Sequence, residues 1–187
     1  MPGKAAEMKK EPEITVAELL VNKIIIPEGY EELLEKAYGK VTGKNLELSF
    51  VEALYLLENN KIVLTKSEKE VGFNKLLAAG LKLDTRLHER FIVYEDLRER
   101  GLIVKTGFKF GCDFRVYKRG ISLRKGPKAS GEHTRWIVSV VSEDYTCSFH
   151  ELSRAVRLSH SIRARMLWAV VDSENNVTYY EVLRLRP

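Results

Sequence analysis

The pattern of apolar residues changes at Gly101, and this change constrains the fold more than any other feature. Before Gly101, apolar side chains recur mainly at helical spacing. After it, β-branched and aromatic residues form short, partly alternating runs bounded by turns. These runs are LIVKTGFKF, DFRVYKR, TRWIVSVVS, RMLWAVVD and VTYYEVLRL. The sequence therefore predicts an α/β (α+β) protein, with helices and a small sheet in the first half and a sheet with few helices in the second.

Helix positions are predicted from capping boxes, in which a serine is followed three residues later by a glutamate. Two further helices are expected without such a box. One ends at Gly101 and connects the first half to the second, and a short one covers EELLEKAYGK (31–40). The three boxes are Ser49 with Glu52, Ser67 with Glu70 opening EVGFNKLLAAG before Gly80, and Ser148 with Glu151 opening SFHELSRAVRLSHS.

Length and composition favour two small domains of an ordinary soluble protein. We expect a disordered tail over residues 1–12, a helix-rich domain over 13–90 and a second domain over 91–187. No apolar run approaches the roughly 20 residues of a membrane span, and the N-terminus has no signal-peptide pattern. Cys112 and Cys147 lack metal-site spacing. The sequence thus predicts a cytoplasmic protein with no membrane contact, metal or other cofactor.

Charge is distributed unevenly along the chain. Residues 1–100 hold 16 Lys and Arg against 18 Asp and Glu, whereas residues 101–187 hold 15 against 8, a balance of +7. A thermophilic surface is also rich in charge, but it would not lose acidic residues in one half only. The second half is therefore expected to bind an anionic partner, and nucleic acid is the first candidate.

Several residues of the basic half could act on a phosphate group. A tyrosine and a histidine on either side of a Gly- and Lys-rich loop suit metal-free RNA cleavage, with a base on the 2′-hydroxyl and an acid on the 5′-oxygen. Such chemistry also needs a fixed cation. Each residue has an ordinary alternative, as a core tyrosine, a surface histidine or a solvated lysine. The candidates are Tyr117, the loop 118–131 with Lys125 and Lys128, His133, Arg157, His160, Arg163, Arg184 and Arg186.

Other chemistries find little support in the sequence. Phosphate-loop, dinucleotide-binding, serine-hydrolase and zinc-protease motifs are absent. Metal-dependent nucleases need clustered carboxylates. The acids of the second half, such as Asp113, Asp172 and Glu174, are scattered.

Taken in order, the candidate segments closely resemble the archaeal tRNA-splicing endonucleases. The resemblance rests on GFKFGCDFRVYKRG, EHTRWIVSVVSED, ELSRAVRLSHSIRARMLWAVVD and VTYYEVLRLRP, and LSFVEALYLLENNKI is similar to the N-terminal domain of that family. It implies a restriction-endonuclease-like second domain, a mixed sheet flanked by helices. It also implies metal-independent cutting of precursor tRNA at both intron borders within a bulge-helix-bulge, leaving a 2′,3′-cyclic phosphate and a 5′-hydroxyl.

The resemblance assigns roles to individual residues. The tyrosine of G-x-D-F-x-x-Y is Tyr117, the implied general base, and the histidine of E-H-[ST] is His133, the implied general acid. The family lysine comes four residues after the histidine of its H-S-V motif. Here that histidine is His160, so the lysine position is occupied by Ala164. The flanking Arg163 and Arg165 do not substitute simply, because neighbours on a strand point to opposite faces.

Two interpretations of Ala164 remain open. In one, the chain is a non-catalytic subunit whose catalytic residues have drifted. In the other, it is a catalytic subunit whose lysine was replaced deliberately to obtain an inactive enzyme. Because Tyr117 and His133 are intact, the second interpretation is favoured.

The resemblance also implies RNA-binding and subunit contacts. Arg157 matches an arginine that clamps a flipped bulge base by stacking, and Arg184 is a weaker candidate for the other half of the clamp. The strand VTYYEVLRL is expected to pair across a subunit interface, and Glu143 and Asp144 match an acidic loop that docks into a partner. The long basic loop favours a heterotetramer over a homotetramer.

Two rival functions belong to other classes. A non-catalytic RNA-binding subunit would use Arg157 and the basic loop, but neither Tyr117 nor His133. A metal-dependent DNA nuclease on a similar fold would lose its activity in chelator.

Overall fold

The computed structural model describes residues 15–121 and 133–185. The predicted tail at 1–12, most of the loop 118–131 with Lys125 and Lys128, and Arg186 lie outside these ranges. The first half contains β1 (Thr15–Leu19), β2 (Ile24–Ile26), α1 (Glu31–Glu35), β3 (Lys40–Thr42), β4 (Asn45–Leu48), α2 (Phe50–Glu58), β5 (Ile62–Lys66), β6 (Lys69–Glu70) and α3 (Phe73–Leu81). The second contains α4 (Leu87–Glu99), β7 (Ile103–Thr106), β8 (Phe114–Tyr117), β9 (Trp136–Ser142), α5 (Phe149–Ser161), β10 (Arg165–Val171) and β11 (Val177–Val182).

The predicted fold class is confirmed, with two mixed sheets and five helices in the described part of the chain. The first sheet is larger than the sequence indicated: its six short strands run in the order β3-β4-β2-β1-β5-β6. The predicted helix over 31–40 is only half helical. It ends at Glu35, and β3 begins at Lys40.

The capping predictions have mixed outcomes. The Ser49–Glu52 box is present in full at the start of α2. Ser148 accepts a hydrogen bond from the Glu151 backbone N–H at 3.2 Å, but the Glu151 carboxylate accepts from the Tyr145 hydroxyl rather than closing a box.

The predicted box of Ser67 and Glu70 is wrong. Ser67 and Glu68 have φ angles of 49° and 64° and form the tight turn between β5 and β6. Helix α3 begins only after Gly72, which is its N-cap residue. Two consecutive residues with positive φ suit a two-residue hairpin, and that turn uses the serine that the pattern assigned to a cap.

The second sheet has the strand order β11-β10-β9-β8-β7. Strands β9 and β10 are parallel, while the other neighbours in this sheet are antiparallel. A parallel pair needs a crossover connection, and α5 provides it. Helix α5 packs on one face of the sheet, and α4 packs on the other.

Helix α4 joins the two halves through a shared core. Its buried Phe91, Val93 and Leu97 belong to a cluster that includes residues of both sheets. A polar contact also connects the two halves. The Lys105 ammonium on β7 donates to the Ala37 carbonyl at 2.9 Å and lies 3.5 Å from the buried Glu52 carboxylate. The second sheet is therefore fixed against the first, while the division of domains at residues 90 and 91 stays a prediction.

A carboxylate pair between α2 and α4 makes stability depend on pH. Burial and a hydrogen bond with Glu58 raise the pKa of Glu95 from 4.5 to about 7. The folded protein therefore binds this proton more tightly than the unfolded chain. The resulting stabilisation is complete below pH 4.5 and is lost as the pH rises through about 7.

We expect Glu95→Gln to unfold at a higher temperature than the unchanged protein at pH 8 and at nearly the same temperature at pH 5. Thermal unfolding followed by circular dichroism at both pH values measures this. Glu28→Gln, in the exposed turn after β2, serves as the matched control. Equal shifts at both pH values for Glu95→Gln would contradict the pairing.

Candidate active site

One edge of the second sheet brings together the ends of three neighbouring strands. Strand β8 runs antiparallel to β9, so its last residue, Tyr117, lies beside the start of β9. Strands β9 and β10 are parallel, with Arg165 opposite Trp136, so their first residues lie side by side. Tyr117, His133 and Ala164 are far apart in sequence but lie at the same edge of the sheet, the one formed by these strand ends. We call it the site edge.

Tyr117 ends β8 as a buried residue, with 2% of its surface exposed. It pairs with Ile103 of β7. Side chains alternate along the strand, and Arg115 is opposite Ile137, which contacts the cluster beneath α5. Tyr117 therefore lies on the α5 face of the sheet.

His133 lies at the entrance to β9 and is exposed. Two residues later, the Arg135 N–H donates to the Val116 carbonyl at 2.8 Å. This bond holds the start of β9 against the end of β8. His133 is consequently tethered near Tyr117 by backbone pairing.

Ala164 lies at the turn from α5 into β10. Arg163 adopts a left-handed conformation with φ of 55°, and the Ala164 N–H donates to the Ser159 carbonyl at 2.9 Å. Ala164 is 7% exposed and belongs to the cluster with Val156 and Met166 beneath α5. Position 164 thus faces the same side of the sheet as Tyr117, two strands away, which corresponds to about 10 Å.

Arg165, which follows Ala164 in sequence, does not take over its position. Arg165 lies on the opposite face, where its guanidinium pairs with Glu181 at 2.8 Å. The same carboxylate group accepts a hydrogen bond from the Trp136 indole at 3.0 Å. The prediction that Arg165 is no simple substitute agrees with this geometry.

A cavity of about 490 Å³ opens beside the site edge. It is lined by Val156, Arg157 and His160 of α5 and by Arg184, which follows β11. The two arginines that the sequence nominated for RNA binding therefore face one cavity. It can hold an anion or a planar base between two guanidinium groups.

Glu143 and Asp144 lie at the opposite end of the sheet from these residues. They follow the seven-residue strand β9, which is about 23 Å long. Both are exposed, and the Glu143 carboxylate accepts from the Ser173 N–H at 2.9 Å. The acidic pair is thus separate from the site edge.

Asp113 has a role that the sequence did not reveal. Its carboxylate accepts from the Val140 N–H at 2.8 Å and lies 3.2 Å from both Arg86 and Arg90. It holds the start of α4 on the sheet. Its position in the G-x-D-F-x-x-Y pattern could have indicated this role. A carboxylate beside an apolar strand is buried and therefore needs a hydrogen-bond or ion-pair partner.

A metal site would need several carboxylate, imidazole or thiolate groups close together. Across residues 15–121 and 133–185, no three His, Cys, Asp or Glu side chains are arranged to hold a metal ion. Cys112 and Cys147 are both free, and burial raises the pKa of the Cys112 thiol to about 11. None of the helices in these ranges is both long and apolar enough to cross a membrane.

Comparison with known proteins identifies the family. The model of the tRNA intron endonuclease N-terminal domain matches residues 16–77, and that of the tRNA intron endonuclease catalytic C-terminal domain matches residues 87–179. A tRNA-splicing endonuclease of Methanococcus maripaludis is 37% identical over 179 residues, covering 94% of this chain and 97% of the relative. The chain belongs to the tRNA intron endonuclease family.

Two further relatives of this chain match over shorter stretches. A tRNA-splicing endonuclease of Thermococcus onnurineus is 40% identical over 145 residues, covering 78% of this chain and 80% of the relative. One of Methanothermobacter thermautotrophicus is 40% identical over 151 residues, covering 80% and 84%. The resemblance inferred from the motifs is therefore confirmed.

Proposed function

We propose that this chain is an endoribonuclease of tRNA splicing that cuts precursor tRNA at intron borders within a bulge-helix-bulge. The observation that carries the proposal is the meeting of the Tyr117, His133 and Ala164 positions at the site edge. Strand register alone brings them there, on a sheet with a basic cavity beside it. The family membership of the chain supports the substrate class.

The reaction we propose is an intramolecular transesterification. Tyr117 removes the proton of the 2′-hydroxyl, whose oxygen attacks the adjacent phosphorus. His133 donates a proton to the 5′-oxygen as its bond to phosphorus breaks. The products are a 2′,3′-cyclic phosphate and a 5′-hydroxyl, without consumption of water. Because Tyr117 is 2% exposed, RNA has to displace the residues that cover it.

Ala164 makes the chain, as it stands, a nearly inactive form of this enzyme. The phosphate gains negative charge in the transition state, and a lysine at the site edge would offset it. A methyl group cannot do so. We interpret the alanine as a replacement in a catalytic subunit, because the other two positions keep their reactive side chains.

RNA binding is assigned to the cavity and the basic loop. Arg157 and Arg184 line the same cavity, which supports their action on one nucleotide at the bulge. Lys125 and Lys128 are proposed to contact the phosphate backbone from the loop between β8 and β9.

Metal independence is the property that best separates this proposal from a metal-dependent nuclease. We expect the Ala164→Lys protein to cut intron-containing precursor tRNA at an unchanged rate in excess chelator. Each 5′ fragment should resist labelling at its 3′ end until the cyclic phosphate is opened and the resulting monophosphate is removed. Loss of cutting in chelator, restored by Mg²⁺, would overturn the proposed mechanism.

A heterotetramer is the proposed assembly. Strand β11 is an edge strand of its sheet, with Tyr180 57% exposed and the following Leu183 54% exposed, which supports pairing with another subunit. Glu143 and Asp144 are exposed at the far end of the sheet, which supports their docking into a partner. Size-exclusion chromatography with light scattering should give a species smaller than a tetramer for the chain alone. A stable tetramer would exclude the need for a second gene product.

A non-catalytic subunit is the second candidate function, and the missing lysine is the observation that favours it. Such a subunit would bind precursor tRNA through Arg157 and the basic loop and leave cutting to its partner. It predicts that lysine at position 164 has no effect on the rate.

A further inference from the structure

The outer face of α5 carries arginines and no acid. The inner face of the helix packs on the sheet through residues such as Val156. Ser153, Arg154 and Arg157 lie on the opposite side of the helix, and all three are exposed. We call these three residues the α5 ridge. The one acid of α5, Glu151, is engaged elsewhere, because its carboxylate accepts a hydrogen bond from the loop that precedes the helix.

The two arginines of the α5 ridge have no carboxylate partner among the described residues. Arg154 contacts the His150 ring at 3.4 Å, and Arg157 makes no hydrogen bond or ion pair with another described residue. An unpaired guanidinium on a face without acids keeps its full charge for an external anion. Other arginines of the fold are paired instead: Arg86 with Asp113, Arg90 with Asp84, Arg100 with Asp96 and Arg165 with Glu181.

The α5 ridge continues from the cavity beside the site edge. Arg157 lines that cavity, and Arg154 lies one helical turn farther from the site edge, about 4.5 Å along the axis. Helix residues at this spacing are surface neighbours, with Cβ atoms about 5–6 Å apart. Two such side chains can each contact a phosphate of one strand, and the Ser153 hydroxyl can donate to the same backbone. A nucleotide held in the cavity therefore has a basic path leading away along α5.

We propose that the α5 ridge binds the phosphate backbone of the duplex arm of precursor tRNA that adjoins the bulge, with Arg154 as its main contact. The inference rests on the proposed function, which brings the bulged nucleotide to the cavity. Contacts with phosphates position a nucleic acid without reading its sequence. Arg154 is therefore a positioning residue. It should set the affinity for the RNA and leave the chemical step unchanged.

An acidic protein segment is the rival ligand, because Arg154 also lines a second cavity, of about 590 Å³, together with Arg86 and Arg90. The charges of the two surfaces favour RNA on the α5 ridge. Asp113 lies 3.2 Å from both Arg86 and Arg90, so the cations of the second cavity are already offset in part. The arginines of the α5 ridge have no such acid beside them.

Filter binding of intron-containing precursor tRNA over a series of salt concentrations tests the inference, with the full chain assembled with any required partner. Arg154→Ala should weaken binding about 10-fold at low salt, as expected for the loss of a hydrogen bond to a charged group. The slope of log affinity against log salt should become shallower by about 0.7 to 0.9, the contribution of one phosphate contact. Arg154→Lys should keep most of the affinity, because a lysine also binds phosphate.

Lys69→Ala is the matched control, since it removes the same charge from an exposed position of β6 in the first sheet. It should change neither the affinity nor the salt slope. Arg154 is exposed, so its truncation should leave the unfolding temperature unchanged, and circular dichroism checks this. In the Ala164→Lys background, single-turnover cleavage at saturating protein should be equally fast with and without Arg154.

Shortened RNAs locate the contact. The effect of Arg154→Ala should disappear when one of the two duplex arms that flank the bulge is cut back, and should persist when the other arm is cut back. An effect that persists with either arm shortened would overturn the inference, because Arg154 would then act at the bulge or through overall charge.

The remaining outcomes separate this inference from the proposed function. If Arg154→Ala binds precursor tRNA as tightly as the unchanged protein and with the same salt slope, the inference fails and the proposed function stands. If Arg154→Ala reduces the assembled mass in light scattering, Arg154 contacts a partner subunit and the inference fails. If the unchanged protein binds no precursor tRNA, the proposed function fails as well.

Discussion

Replacing Ala164 by lysine is expected to raise the rate of precursor-tRNA cleavage by about 10²-fold once the chain is assembled with any required partner subunit, by analogy with the loss of one transition-state hydrogen-bond donor. The reason is electrostatic. Position 164 is on the same face as Tyr117, and a charge there acts on the phosphate while RNA excludes water from the site edge. Single-turnover cleavage at saturating protein measures the chemical step without contributions from product release.

Ala164→Met is the matched control for this change. Methionine fills nearly the same space as lysine beneath α5 but carries no charge, so any effect of packing against Val156 and Met166 is common to both variants. The lysine protein should cut far faster than the methionine protein. Equal rates would show that position 164 does not provide a catalytic cation, and would favour the non-catalytic subunit.

Removing the imidazole of His133 should nearly abolish cleavage. In the Ala164→Lys background we expect His133→Ala to lower the rate by about 10²- to 10⁴-fold, the usual contribution of a general acid. Binding of precursor tRNA should change little, because His133 is exposed at the start of β9 and its side chain makes no hydrogen bond or ion pair with another described residue. Filter binding and single-turnover cleavage of the same protein measure the two effects.

His150→Ala is the control for His133. His150 is an exposed histidine near the start of α5, at the opposite end of that helix from the site edge. Its loss should leave the rate unchanged. Cleavage that survives in His133→Ala would remove the histidine from the mechanism, whereas loss of RNA binding would assign it to substrate contact instead.

The sequence predicted the fold class and one full capping box well, because each rests on residues close together in the chain. It failed at Ser67, where the serine-glutamate spacing fits a cap but two residues with positive φ make a hairpin turn. Local spacing could not separate these two structures. The length of the first helix was likewise overestimated, since Lys40 pairs with Glu47 in a sheet that forms only in the folded protein.

The roles of the candidate site residues stay predictions, whereas their placement depends on the fold. Motif order nominated Tyr117, His133 and Ala164, but only strand pairing brings them to one edge, and pairing is not local information. The register that brings Met166 of β10 opposite Val182 of β11 is another such feature, because an alternating pattern leaves register open by steps of two residues. The burial of Tyr117 also depends on residues distant in sequence.

The bond between the Arg135 N–H and the Val116 carbonyl has a consequence for how such an enzyme could diversify. It fastens the base of the loop between β8 and β9, so the strand ends that hold Tyr117 and His133 are set by the ladder and not by what connects them. Doubling the length of a flexible connection costs only about 0.6 kcal/mol in closure entropy. Insertions there can accumulate new basic residues, and thereby widen or narrow the range of RNA substrates, while the reacting groups stay in register.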